Sequence, residues 1–201
     1  MTSISSVTLE VAAPSASEAF YAAAFDLGDR LGLRHSEEPT TGFRGFTMSL
    51  VVSQPGNADA LLESAIGAGA RTIKPAKKSV WGYGGVVQAP DGTIWKVATS
   101  SKKDRGPATR HVEDVVLLLG VSDFGASKRF YVERGLKVDK SFGKYAQFEL
   151  PSGGVKLALY GRGALAKDAG VDQEGSGSHR IAICADLGSF TDPDGFNWEA
   201  A

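Results

Sequence analysis

The residues best suited to chemistry stand in two near-copies of one segment, Ala89-Pro-Asp-Gly-Thr-Ile-Trp-Lys-Val-Ala98 and Asp192-Pro-Asp-Gly-Phe-Asn-Trp-Glu-Ala-Ala201. Both read as strand, turn and strand, with Pro-Asp-Gly in the turn and Trp in the exit strand. The copies exchange a cation for an anion at Lys96 against Glu199, the difference that matters most for function. A lysine there offers a donor to an anionic or carbonyl-bearing ligand, whereas a glutamate accepts hydrogen bonds or ligates a metal. A second set is Trp81-Gly-Tyr-Gly-Gly85, in which Trp81 and Tyr83 can stack a planar ligand and the glycines admit a ligand or another backbone at close range. The chain has three histidines, and they form no pair on one strand or helix. His35 and His111 lie in polar, loop-like contexts, and His179 opens an apolar strand. Cys184 is the lone cysteine, in a run that reads as buried and inert. No Gly-x-Ser-x-Gly elbow, P-loop or Gly-x-Gly-x-x-Gly fingerprint occurs, so covalent acyl transfer, nucleotide hydrolysis and dinucleotide chemistry have no support.

The elements that must position these residues also recur. Val11-Ala-Ala-Pro-Ser-Ala-Ser-Glu-Ala-Phe-Tyr21 matches Val121-Ser-Asp-Phe-Gly-Ala-Ser-Lys-Arg-Phe-Tyr131 at an offset of 110, each opening a helix after an apolar strand. Thr47-Met-Ser-Leu-Val-Val-Ser53 matches Arg180-Ile-Ala-Ile-Cys-Ala-Asp186 at 133, and Pro90 matches Pro193 at 103. The first copy therefore lacks about two strands after its first helix and strand, and the second lacks a helix and a strand near its end. Each half omits what the other keeps.

Alternation and periodicity place strands at 4–11, 31–37, 46–53, 72–74, 82–88 and 93–98, then at 112–121, 137–139, 145–150, 155–160 and 180–185. Helices are expected at 15–27, at 58–68 with Asn57 as cap, and at 123–133. The Gly-rich stretch 161–178 reads as a mobile loop with one helical turn at 164–169.

The β-α-β-β-β pattern, the Phe-Tyr in its helix and the terminal Asp-Pro-Asp-Gly-x-x-Trp-Glu strand resemble the vicinal oxygen chelate superfamily. That group includes glyoxalase I, extradiol dioxygenases and bleomycin-binding resistance proteins. The resemblance implies an α+β fold in which tandem βαβββ modules curve into U-shaped mixed sheets. It further implies two glyoxalase-like lobes, residues 1–100 and 111–201, joined by a linker at 101–110. Because the deletions are complementary, neither lobe is expected to complete a cup alone; the lobes associate within the monomer or complete each other in a homodimer. Metal-dependent members place ligands at matched strand positions, which fall here on Ser6 and Val116, Thr47 and Arg180, and Lys96 and Glu199. Only Glu199 suits a metal, and one carboxylate beside a guanidinium does not hold a divalent ion, so neither metal nor cofactor is expected. In that reading Arg180 and Glu199 form either a charge-assisted pair in the cup or a partly exposed salt bridge worth about 0–1 kcal/mol. His179 lies one residue from the ligand register, which in a strand sends its side chain to the other face.

Composition agrees with a small-molecule role. At 201 residues and 42% hydrophobic content the chain can bury one good core or two modest ones. A net charge of −1 exerts no long-range pull on nucleic acid or anionic membrane, and the basic run Ser100-Ser-Lys-Lys-Asp-Arg105 reads as a solvated linker. No basic-then-apolar leader or membrane-length apolar run is present, which makes the cytoplasm the expected compartment. The expected function is metal-independent binding of a small aromatic or anionic molecule by Trp81, Tyr83, Lys96, Arg180 and Glu199. The alternatives are a metal-dependent lyase or dioxygenase of the same superfamily, and a degenerate structural or regulatory member whose cup is closed by its own side chains.

Overall fold

The computed structural model describes residues 2–201. In chain order the elements are β1 (Ile4–Val11), α1 (Pro14–Ala24), β2 (Leu31–His35), β3 (Thr40–Gly42), β4 (Phe46–Val51), α2 (Pro55–Gly67), β5 (Arg71–Ser79), β6 (Gly82–Gln88), β7 (Ile94–Thr99) and β8 (Asp114–Val121). They continue with α3 (Phe124–Glu133), β9 (Lys137–Phe142), β10 (Tyr145–Glu149), β11 (Val155–Gly161), α4 (Arg162–Ala169), β12 (Gly175–Gly177), β13 (Ile181–Ala185), β14 (Phe190–Thr191) and β15 (Asn197–Ala200). Among the described residues no helix is long and apolar enough to cross a membrane.

The eight-stranded sheet runs β5-β6-β7-β4-β8-β11-β10-β9, and a five-stranded sheet runs β14-β15-β13-β1-β2. Within the larger sheet β4–α2–β5–β6–β7 and β8–α3–β9–β10–β11 are two complete βαβββ modules, joined by antiparallel pairing of β4 with β8. In both, the last strand lies parallel beside the first: β7 against β4, and β11 against β8. The smaller sheet is built the same way from less material. There β1 pairs antiparallel with β13, β2 lies parallel to β1, and β15 lies parallel to β13. Its first module has no strands between α1 and β2, and its second has no helix. The complementary gaps read from the sequence thus fall on one sheet. Each sheet draws strands from both sides of residues 101–110, so the expected division into lobes there does not coincide with a division between sheets.

That segment is also less free than its basic composition suggests. Gln54 Nε2 donates to the Gly106 and Pro107 carbonyls, Gln54 Oε1 accepts from Arg105 N, and Asn57 Oδ1 accepts from Thr109 N at 2.8 Å. Asn57 is therefore not the cap of α2. The helix starts at Pro55, whose fixed φ and missing N–H suit the first helical position, and Asn57 is buried in its first turn holding the linker down. At α3 the cap is Asp123, which precedes the helix and accepts from Ala126 N at 3.0 Å.

One core lies between the sheets. Val7, Leu9 and Val11 of β1 and Ile181 and Ile183 of β13 meet Met48, Leu50, Val97, Leu117 and Leu157 of the larger sheet, with α1, α2 and Tyr131 of α3 filling the layer. Trp95 and Trp198, both fully buried, anchor it. Each tryptophan packs against the tyrosine of a Phe-Tyr pair with ring centroids 5.5 Å apart, Trp95 on Tyr21 and Trp198 on Tyr131. Each phenol donates to a carboxylate of the neighbouring turn: Tyr21 to Asp91 at 2.6 Å, and Tyr131 to Asp192. The repeat is not exact here, because Asp91 follows its proline and Asp192 precedes its own.

Burial, reinforced by the adjacent carboxylate, holds both phenols well above the ordinary value near 10. A folded-state value raised above the unfolded one contributes stability that is complete below pH 10 and is lost as the pH climbs above it. Unfolding free energies from urea titration should therefore fall as the pH rises above 10, by about 1.4 kcal/mol per pH unit for each tyrosine, and Tyr21→Phe should remove its share of that slope. At pH 7, Tyr131→Phe leaves the buried Asp192 without its hydroxyl donor and should cost about 1–3 kcal/mol in the same measurement.

Candidate functional site

A groove of about 260 Å3 opens on the face of the eight-stranded sheet turned away from the core, bordered by Lys74, Lys77, Trp81, Gly84, Lys96 and Asp168. Strand alternation decides what reaches it. On β7, Trp95 and Val97 point to the core, so Lys96 and Ala98 face the groove. On β6, Val87 joins the main core and Val86 the opposite cluster. Trp81 occupies the tight turn between β5 and β6, its N–H donating to Ser79 Oγ at 3.2 Å, and its indole is 85% exposed. Tyr83 borders the groove, but its hydroxyl turns to α2 and donates to Asp59 Oδ1 at 2.6 Å. That bond, with burial adding to it, pushes the phenol up to about 12. The glycines beside it answer to the backbone rather than to a ligand. A Cβ on Gly84 would stand 2.4 Å from the Val97 carbonyl, and one on Gly85 would stand 2.9 Å from Leu62 Cδ1.

The centre of this face is occupied by the protein itself. Leu165, Ala166 and Ala169 of α4 are buried against Phe43, Val86 and Ile94, with Leu118 and Tyr160 alongside. Gly120 of β8 makes the seat possible, since its Cβ would lie 2.9 Å from the Gly45 carbonyl and 3.2 Å from Arg162 Cα. Two groove lysines fasten the end of the helix. Lys74 Nζ donates to the Lys167 and Asp168 carbonyls at 2.8 and 2.6 Å, where the last turn of a helix lacks partners of its own. Lys96 Nζ meets Asp168 Oδ2 at 2.7 Å. The expected mobile loop with one helical turn is thus an eight-residue helix, and β12, from the same stretch, pairs with β3.

Arg180 and Glu199 do not share the groove, and they do not pair. Glu199 lies on the five-stranded sheet and meets Arg34 at 2.9 Å, while Arg34 also holds Glu10 at 2.6 Å. Parallel pairing of β1 with β2 sets Glu10 beside Arg34, a neighbour that the spacing of the repeats does not reveal. Arg180 adopts a left-handed backbone, φ 57°, which turns it out of the strand register just before β13 begins. Its guanidinium donates to the Ser36 carbonyl and lines a separate cavity. Thr47, matched to it in the repeat, is buried on β4.

His179 is a structural clamp. Its Nδ1 lies 2.5 Å from the Arg44 carbonyl and its Nε2 3.0 Å from the Asp194 carbonyl, with the ring stacked on Phe196 at 4.0 Å. Cys184 is half-buried rather than in the core, with Sγ 3.8 Å from Thr8 Oγ1. Among the described residues no three His, Cys, Asp or Glu side chains converge as a metal would require. The groove offers one carboxylate, Asp168, already held by a lysine, and that donor set does not fit a divalent ion.

No sequence-family profile matches the chain, and no curated protein matches it significantly in sequence. Solved structures do match in shape. Glyoxalase I from Zea mays superposes with a TM-score of 0.63 at 15% identity, covering 98% of this chain and 91% of that one. Two single-site variants of the same maize protein give 0.64 and 0.63 at 15% and 16% identity, again covering 98% of this chain. At such identity the likeness is one of fold, and it spans both sheets. The chain has the fold of glyoxalase I.

Proposed function

We propose that the protein binds a small planar anion, such as an aromatic carboxylate, in the groove beside α4 and without a metal. The observation that carries this reading is Trp81, an indole 85% exposed at the lip of a groove that also presents Lys77 and Lys96. An exposed indole offers a stacking face, and an ammonium group close by supplies the charge to orient an acid. Asp168 opposes such a ligand by neutralising Lys96, so α4 sets how much of the cationic surface is available. A lyase or dioxygenase reading needs a metal donor set that the groove does not supply.

The buried seat of α4 favours a second reading, a structural or regulatory member whose cup is closed by its own helix. Ligand titration separates the two. Trp95 and Trp198 are buried, so a ligand-induced change in tryptophan emission reports on Trp81. Saturable quenching by benzoate is expected, weakened at least tenfold by Trp81→Ala and several-fold by Lys77→Ala. Asp168→Asn should tighten binding by releasing Lys96, while lowering stability by about 0.2–1 kcal/mol, the range for a half-exposed ion pair. Absence of saturable quenching across a set of aromatic acids would favour the closed-cup reading. Elemental analysis showing one metal per chain after dialysis would overturn metal independence.

A further inference from the structure

A second cavity, of about 290 Å3, lies on the opposite side of the repeat logic, between the start of α1, the end of β1 and the Pro90-Asp91 turn. Arg44 and Arg180 both line it, and among the described residues neither has a carboxylate within salt-bridge distance. Their polar contacts are to backbone: Arg44 Nη2 donates to the Asp91 carbonyl at 2.6 Å, and Arg180 Nη1 to that of Ser36. Arg180 Nε is buried with no partner. Burial holds Arg44 below the ordinary arginine value, with the nearby Asp91 carboxylate opposing that shift and Arg180 adding to it. Two acids also stand on the wall, but both are engaged. Glu10 pairs with Arg34, and Asp91 accepts from the Tyr21 hydroxyl and from Thr93 N at 2.8 Å.

The other half of the chain indicates what this place is shaped to hold. At α3, the counterpart of α1, the protein supplies its own carboxylates. Asp123 caps the helix, and Asp194 accepts from Ser122 N at 2.7 Å and from Ser127 Oγ at 2.6 Å. The repeat matches Asp123 to Ala13, Ser127 to Ser17 and Asp194 to Asp91. In the first copy the cap is an alanine with no side-chain bond, Asp91 has turned away to Tyr21, and Ser17 makes no side-chain hydrogen bond among the described residues. The position that Asp194 fills at α3 is at α1 an open cavity flanked by two arginines that form no salt bridge among the described residues.

We infer that this cavity binds the carboxylate of a small aliphatic acid, which takes the place of the missing aspartates beside Ser17 and between Arg44 and Arg180. The rest of the wall, Val11, Ala12, Ala16, Phe20 and Pro90, is apolar and suits a short hydrocarbon body.

The test is calorimetric titration of the intact chain with butyrate, with inorganic phosphate and chloride as parallel arms. Saturable butyrate binding is expected, weakened at least tenfold by Arg44→Gln or Arg180→Gln. Ala13→Asp provides a variant that removes no contact. It restores the carboxylate found at Asp123, so it should abolish butyrate binding and raise the thermal midpoint of the ligand-free protein. Trp81→Ala should leave butyrate binding unchanged, which separates this cavity from the groove on the other sheet. Failure of butyrate to saturate the native chain, phosphate or chloride binding as tight as butyrate, or butyrate binding unaffected by Ala13→Asp and both arginine variants would each overturn the inference.

Discussion

Antiparallel pairing of β4 with β8, from Phe46 opposite Leu119 to Val51 opposite Asp114, is the contact on which the architecture depends. It joins one complete module from each half of the chain into an eight-stranded sheet and leaves the two shortened modules to pair through β1 and β13. Because β4 is buried on both faces along most of its length, the pairing lies at the centre of the molecule and not at an edge. The linker at 101–110 is held against the start of α2 by Gln54 and Asn57, which brings β8 back beside β4.

From this central pairing follows an asymmetry between the two sheets. The larger has enough strands to form a full cup, and α4 occupies its middle with three small or branched side chains. The smaller has five strands, and its solvent-side face carries the chain Glu10–Arg34–Glu199. Those side chains are partly exposed, and exposed ion pairs add little stability. The core that binds the sheets together is instead apolar and aromatic, with its buried phenols paired to carboxylates, as where Tyr21 meets Asp91.

Charge placement divides the surface features by role. Lys74 and Lys96 are committed to the end of α4, so they shape the groove as much as they line it. Arg44 and Arg180 donate to carbonyl oxygens and form no salt bridge among the described residues, though Glu10 and Asp91 share their cavity wall. The contrast arises within one repeat, since the second copy spends aspartates where the first keeps a cavity.

Repeats and hydrophobic alternation were sufficient to identify most elements and the complementary deletions, because those signals are local, and β1 and β6 run where they are expected; the α+β fold was legible only through the resemblance its motifs carry. Of the five residues expected to line one site, Trp81, Tyr83 and Lys96 border one groove, and Arg180 and Glu199 lie elsewhere. Tertiary structure alone decided the partners. Glu199 met Arg34 and not Arg180 because β2, from the other half of the chain, brings Arg34 within reach across the five-stranded sheet, and Arg180 left its register through a left-handed residue that no periodicity encodes. Only one turn of α4 was legible, for the same reason. Its own pattern is weakly amphipathic, and what stabilises it is a seat assembled from Phe43, Val86, Ile94 and Leu118, residues far apart in the chain. Sequence determined which segments form strands and helices; long-range pairing determined which charges meet, which cup is filled and which cavity is left open.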